Sequence, residues 1–129
     1  MKTKMFLMLA LVMMVAAAPA FSGEAVQMWS CEMEDDATEE QIEEQAATWL
    51  AAAKKVEGGA NFKAYVYFPV AVNAMGEIDV MFIVVAPTFA EWGTFWDNYE
   101  GSEAAALEIK QREAVVCPDS VLWEGVKIK

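Results

Sequence analysis

The chain of 129 residues contains no histidine, only one arginine and only two cysteines. Without histidine, the side chain that most often acts as a general base and as a metal ligand is missing. The 20 acidic residues outnumber the 9 basic ones and give a formal net charge of −11. Because such a surface repels nucleic acid and anionic lipid, we expect neither as a partner. Since the chain lacks histidine, we also predict no metal site.

The first 22 residues have the layout of a bacterial secretory signal peptide. Lys2 and Lys4 precede the apolar run Met5–Val15, and small residues follow as far as Ser22. A charged start, a short apolar core and a small-residue exit are typical of such signals, and the run is too short for a stable membrane anchor. We predict cleavage after Ser22, with cleavage after Ala20 as the alternative. Residues 23–129 would then form a single periplasmic or secreted domain with no membrane insertion.

The two cysteines, Cys31 and Cys117, are predicted to form a disulfide, because an even pair in an oxidising compartment is normally bridged. The closed loop is long, so the chain-entropy model gives a stabilisation of roughly 4 kcal/mol. One alternative is a catalytic thiolate, but no histidine is present to activate it. Another is a copper site at Met28, Cys31 and Met33, which would lack imidazole ligands and a recognised spacing.

The segment Phe62–Ala86 is predicted to be a β-hairpin. β-branched and aromatic residues lie on both sides of a turn sequence, Asn73-Ala74-Met75-Gly76, as in known hairpins. The proposed register places Val66 opposite Ile83 and Tyr67 opposite Phe82, and a bulge at the intervening proline would shift it by one residue. That proline, Pro69, cannot donate to a ladder, so we expect the first strand at a sheet edge or bulged.

Both faces of this hairpin are apolar in either register. An antiparallel sheet with one solvated face normally shows polar residues on that face, and this hairpin has few. Helices can cover only one side of it. We therefore expect a second subunit or a bound apolar ligand to cover the other.

Two helical segments are predicted from capping signals and apolar spacing. Thr38 is followed by Gln41, and Thr88 by Glu91, in the spacing of a capping box. Gly101 interrupts the second segment, so that segment divides into two short helices. Five large rings crowd its first part; this density is typical of core but exceeds what one buried stripe needs, so some rings should reach a cavity or a partner.

A first strand is predicted over Ala25–Cys31 and a last strand over Val121–Ile128, after a turn at Pro118-Asp119-Ser120. The element order is then β-α-β-β-α-β, the ferredoxin-like arrangement of an α+β fold. Its antiparallel sheet carries the helices on one face and places the last strand beside the first. Cys31 and Cys117 would then lie at the same end of neighbouring strands.

This element order, together with the aromatic helix Glu91-Trp92-Gly93-Thr94-Phe95-Trp96, resembles the dimeric α+β barrel superfamily, which includes antibiotic-biosynthesis monooxygenase-like and related stress-response proteins. The resemblance covers most of residues 25–128. It implies a homodimer in which two ferredoxin-like subunits set their sheets face to face around a shared cavity. Haem-degrading members use a histidine ligand that this chain lacks, so we expect no cofactor.

The favoured function is a non-catalytic, dimerising module that holds a small apolar or aromatic ligand in a sheet-lined cavity. Phenols and indoles suit a pocket that is apolar in its body and wet at its tip. The lining residues are predicted to be Trp29, Tyr65 and Tyr67, with Lys63 as the polar point.

Two other functions remain open. One is a cofactor-independent monooxygenase-like enzyme; its candidate acid/base residues are Tyr65, Tyr67, Lys63 and Asp79. The single arginine and the absence of a paired-carboxylate pattern count against catalysis. The other is an accessory subunit that docks on another envelope protein through exposed aromatic residues. The docking candidates are Trp92, Trp96 and Tyr99.

Overall fold

The computed structural model describes residues 22–71 and 78–129, and these two ranges hold four strands and three helices. The elements are β1 Glu24–Met33, α1 Glu39–Ala53, β2 Lys63–Tyr67, β3 Val80–Ala86, α2 Phe89–Asp97, α3 Glu103–Gln111 and β4 Val115–Gly125. The predicted signal sequence, apart from Ser22, and the Asn73–Gly76 turn lie outside the described residues. None of the three helices is long and apolar enough to cross a membrane.

The four strands form one antiparallel sheet in the order β2-β3-β1-β4. The last strand therefore lies beside the first and runs in the opposite direction, and β2 lies at an edge, where Pro69 after its last residue is tolerated. The helices lie on one side of this sheet. The fold is the predicted ferredoxin-like arrangement.

The predicted hairpin register was wrong by one residue. Val66 lies opposite Phe82, and Tyr65 lies opposite Ile83. β2 ends at Tyr67 and β3 begins only at Val80, because Pro69 has no N–H with which to extend the ladder.

Each helix begins at a hydroxyl side chain that accepts a hydrogen bond from a backbone N–H three residues later, which satisfies one of the unpaired donors of the first turn. The pairs are Thr38 with Gln41, Thr88 with Glu91, and Ser102 with Ala105. After α1 the chain turns at Gly58, whose φ of 88° favours glycine. A Cβ on Gly58 would clash with backbone atoms of Glu91 and Phe95, so this glycine lets the turn contact α2.

The helices bury a core against one face of the sheet, which we call the helix face. The small strand residues of this face are Ala25, Cys31, Val80, Val84 and Ala86, all buried. Above them Phe62 and Phe95 are almost completely buried, with ring centroids 4.6 Å apart. Ile42, Trp49 and Ala53 form the buried stripe of α1, as their helical spacing predicts.

β4 runs without interruption from Val115 to Gly125, so the turn predicted at Pro118-Asp119-Ser120 was wrong. The proline is tolerated because β4 is the other edge strand and its register with β1 shifts between Ser30 and Glu32. The predicted disulfide is present: Cys31 and Cys117 are bridged, with their Cα atoms 4.0 Å apart.

Candidate functional site

The face of the sheet away from the helices, which we call the open face, is apolar across its centre. The cross-strand pairs define three rows, namely Lys63–Val85–Val26–Trp123, Tyr65–Ile83–Met28–Val121 and Tyr67–Met81–Ser30–Asp119. Charged residues stand at the ends of these rows or of the strands, whereas the middle positions, apart from Ser30, are apolar. The rings of Tyr65, Tyr67 and Trp123 are 45, 55 and 58% exposed.

The residues of the predicted ligand site do not share one face. Lys63, Tyr65 and Tyr67 alternate onto the open face, where the two tyrosine rings stack with centroids 6.3 Å apart. Trp29 pairs with Phe82 and lies on the helix face. The separation follows from the pairing of β1 with β3, which the hairpin pattern alone does not reveal. Asp79, one of the acid/base candidates, accepts a hydrogen bond of 3.0 Å from the backbone N–H of Met33.

A cavity of about 720 Å³ lies between the sheet and the helix layer, and we call it the tryptophan cavity. The aromatic side chains that line it are Trp29, Trp49, Phe82, Trp92, Trp96 and Tyr99. Of the predicted ligand set, Trp29 and Tyr65 border this cavity, the latter as part of β2 on its floor; Lys63 and Tyr67 are not among its lining residues.

The helix layer leaves this space because of how it meets the sheet. α1 contacts β2, α2 contacts β1 and β3, and α3 packs against α1. Large rings on α1 and α2 therefore hold the layer above small strand residues such as Val84 and Ala64. Large side chains that pack against small ones can fill the space between a sheet and a helix layer completely. Here they leave an empty volume within the range of small-molecule sites.

Trp96 stands at the centre of the aromatic wall. Its ring centroid lies 4.6 Å from that of Tyr99, 5.1 Å from Phe95 and 6.4 Å from both Trp29 and Trp92. Most of these pairs are edge-to-face or tilted, as the charge distribution of aromatic rings favours. The wall is thus held by mutual ring packing and presents rigid apolar surface.

A chain of hydrogen bonds ends in a carboxylate at the α3 side of the cavity. The Trp49 indole N–H donates to Tyr99 Oη over 3.1 Å, and the Tyr99 hydroxyl donates to Glu108 Oε2 over 2.6 Å. Arg112 donates to the other oxygen, Oε1, over 2.9 Å. Burial, and next the bond to Glu108, raise the pKa of Tyr99 well above its usual value. Tyr99 therefore remains a neutral hydrogen-bond donor at physiological pH.

The three docking candidates face inward. Tyr99 is only 9% exposed and belongs to the core, while Trp92 and Trp96 are partly buried and line the cavity. The exposed aromatic residues are instead those of the open face. The sequence pattern placed Trp49 on a buried stripe, and no signal in it marked Trp49 or Glu108 as part of a cavity, because both depend on how the helices sit above the sheet.

No cluster of potential metal-ligating side chains occurs in the parts of the chain that the structure describes. The cavity contains one carboxylate, and that carboxylate is already bound to Tyr99 and Arg112. The cavity can therefore hold an apolar molecule against its aromatic rings and offer it polar contacts at the end where Glu108 lies.

Comparisons with known proteins show the fold alone. No family model and no curated protein matches the chain. Among solved structures, a candidate chlorite dismutase matches with a TM-score of 0.50 and 11% identity over 85% of this chain and 47% of its own. A dimeric ferredoxin-like protein of unknown function from Bacteroides fragilis has a TM-score of 0.44 and 13% identity, with 81% of this chain and 99% of its own covered.

A third protein, of unknown function from Rhodopseudomonas palustris, has a TM-score of 0.46 and 15% identity, with 86% of this chain and 87% of its own covered. The chain spans about half the length of the candidate chlorite dismutase. At 11% identity the match to the candidate chlorite dismutase shows a likeness of fold alone.

Proposed function

We propose that this protein is a binding module that holds a small, largely apolar organic molecule in the tryptophan cavity. The observation that carries the proposal is the cavity of about 720 Å³ whose wall is built from four tryptophans and a tyrosine. A binding site for a small molecule typically has such a volume and such a lining, with few polar groups that fix orientation. The ligand class is the one that the sequence predicts, and we propose that the ligand binds on the helix side of the sheet.

The polar end of the cavity supports binding rather than catalysis. Tyr99 is held as a neutral donor to Glu108, and that carboxylate is shared with Arg112. The chain has no histidine, the side chain that most often acts as a general base, and the Glu108 carboxylate keeps free lone pairs that can accept a hydrogen bond from a ligand. The same groups can orient a bound molecule without taking a proton from it.

Filling the cavity tests the proposal. Ala46 lines the cavity from α1, and Ala47 is exposed on the same helix. An Ala46→Phe variant should abolish ligand binding, because the new ring occupies the space, while Ala47→Phe should bind as the unaltered protein does. Native mass spectrometry of protein purified from its own cells shows whether a small molecule is retained, and quenching of tryptophan fluorescence then follows its titration.

The test has two results that would overturn the proposal. Retention of the same molecule by the Ala46→Phe variant would place the ligand elsewhere. Failure of the unaltered protein to retain or bind any small apolar molecule would remove the function itself. Unfolding curves for both variants show that the fold is intact.

We further propose that two copies of the chain associate through their open faces, as the resemblance to dimeric barrels implies. The support is the anatomy of that face, in which an apolar centre is bordered by the charged residues Glu24, Glu32, Lys63 and Asp119. Protein interfaces have such an apolar core with a polar rim. Sedimentation at micromolar concentration should then report a dimer.

A further inference from the structure

We infer that the ligand of the tryptophan cavity is an organic ammonium cation. This inference rests on the proposed binding function and adds the charge of the ligand to it. Three observations carry it: most hydrogen-bond donors of the wall already have partners, the wall presents aromatic rings, and its one carboxylate, Glu108, lies beside those rings.

Four donors of the cavity wall are directed at other protein groups. Trp49 donates to Tyr99 over 3.1 Å, and Trp92 donates to Gln27 Oε1 over 3.0 Å. Tyr99 donates to Glu108, and Gln111 donates to the backbone carbonyl of Gln45 over 2.8 Å. An anion needs hydrogen-bond donors that point toward it. A wall whose donors mostly have protein acceptors already gives an anion few hydrogen bonds to replace those it loses with water.

One further indole N–H, that of Trp96, has no hydrogen-bond partner among the described residues, yet its nitrogen atom is covered by protein. It therefore does not offer a donor to a molecule in the cavity. Two further donor groups line the wall, the side-chain amide of Gln27 and the guanidinium of Arg112, which is bound to Glu108. The Arg112 side chain is 68% exposed and that of Glu108 39%, so water screens the charge of Arg112 more strongly.

What the wall does offer suits a cation. The faces of aromatic rings carry negative partial charge and attract an ammonium group within about 6 Å of the ring centroid. The ring centroids of Trp29 and Trp92 each lie 6.4 Å from that of Trp96, so a quaternary ammonium group could contact more than one ring. Such a group has no N–H that requires a partner, and its alkyl shell suits the apolar lining.

The charge of the whole chain favours the same ligand. The 20 acidic residues outnumber 9 basic ones, so the potential around the protein attracts cations and repels anions. Glu108 places one of these negative charges on the cavity wall. Long-range attraction and the local site therefore act in the same direction.

Three probes of one shape and different charge test the inference. Phenyltrimethylammonium, tert-butylbenzene and benzenesulfonate each carry a tetrahedral group on a phenyl ring, with charges of about +1, 0 and −1 in water. Titrated against the full chain at an ionic strength of about 0.15 M, with tryptophan fluorescence as the readout, the ammonium should bind roughly fivefold or more tighter than its neutral isostere. The sulfonate should not bind measurably.

A charge variant localises the effect. Glu108→Gln keeps an acceptor for Tyr99 but removes the charge, so it should weaken ammonium binding about fivefold and leave tert-butylbenzene unchanged. Glu113→Gln is the control, because Glu113 is exposed just beyond α3 and its removal changes the net charge equally without touching the cavity wall. The inference requires the first variant to act more strongly than the second.

The outcomes separate the inference from the function on which it rests. Equal or tighter binding of tert-butylbenzene, or any preference for the sulfonate, would overturn the cation and leave a binding module for apolar molecules. If none of the three probes binds, or if the Ala46→Phe variant binds the ammonium as well as the unaltered protein does, both the inference and the proposed cavity site are overturned.

Discussion

The two faces of the sheet cover their apolar residues by different means. On the helix face, small residues such as Ala25 and Ala86 lie beneath large rings carried by the helices, and the layer they form leaves a cavity. On the open face, residues of medium size such as Met28 and Val121 form a surface that no helix of the described residues covers. One face is thus covered within the described part of the chain, and the proposed dimer would cover the other.

The largest expected effect separates the two faces by stability. Phe95 is fully buried, with its ring centroid 4.6 Å from that of Phe62 and 5.2 Å from that of Tyr99. Phe95→Ala should lower the free energy of unfolding by about 3–5 kcal/mol, because it removes a ring and leaves a void. Val121→Ala, at a half-exposed position of the open face, should cost less than about 1 kcal/mol. Urea unfolding of dilute protein measures both.

A loss for Val121→Ala as large as that for Phe95→Ala would contradict the comparison. It would mean that the open face is already buried at the concentration used, because a valine contributes that much to the free energy of unfolding only when it is buried. Repeating the measurement over a range of protein concentrations shows whether that burial comes from association.

The helix face was largely predictable because its signals are local. Thr38 and Thr88 mark the helix starts, because their side chains accept hydrogen bonds from backbone N–H groups three residues later. The spacing of Ile42 and Trp49 indicates the buried stripe. The disulfide was predicted from the even number of cysteines, and the strand order from the element order. These features depend on residues that are close in sequence or on rules with few exceptions.

The candidate site was less predictable because it depends on registers between strands that are distant in sequence. Trp29 and Tyr65 were grouped as one lining, but the pairing of Trp29 with Phe82 places its side chain on the helix face. Both faces of the hairpin are apolar, so a register one residue away looks equally acceptable in the sequence. The height of the helices above the sheet, which makes the cavity, has no sequence signal of its own.

The next effect concerns association. Val121→Asp puts a charge on the open face of β4, opposite Met28, where a second copy packed on this face would bury it. The dimer of this variant should dissociate at roughly 30-fold higher concentrations or more, because a charge buried in an interface without a partner is costly. Leu122→Asp is the control, since Leu122 is the next residue of β4, is 40% exposed and lies on the other face. Sedimentation of both variants gives the comparison.

Equal effects of the two substitutions would show that the strand as a whole, and not its open face, forms the contact. Dissociation caused by Leu122→Asp alone would place the interface on the helix side of β4. A monomeric unaltered protein would remove the proposed dimer and leave the open face to a different partner.

The smallest effect belongs to the polar end of the tryptophan cavity and appears at alkaline pH. Burial and the bond to Glu108 raise the pKa of Tyr99 in the folded state, whereas the pKa of a tyrosine in an unfolded chain is about 10. The unfolded chain therefore loses its proton first as pH rises. The stability that this pKa difference supplies is complete below about pH 10 and declines as pH climbs from there toward the folded pKa.

A Tyr99→Phe variant should lack this decline. At neutral pH it should lose about 1–2 kcal/mol of unfolding free energy, because the Trp49 indole N–H loses a buried acceptor. Above pH 10 the difference in unfolding free energy between the variant and the unaltered protein should narrow. The reason is that only the unaltered protein has a tyrosine that stays neutral when folded and ionises when unfolded. Tyr67→Phe, on the open face, controls for an exposed tyrosine. A gap that stays constant from pH 8 to pH 11 would mean that Tyr99 titrates alike in both states, and that the cavity's polar end is wetter than its hydrogen bonds indicate.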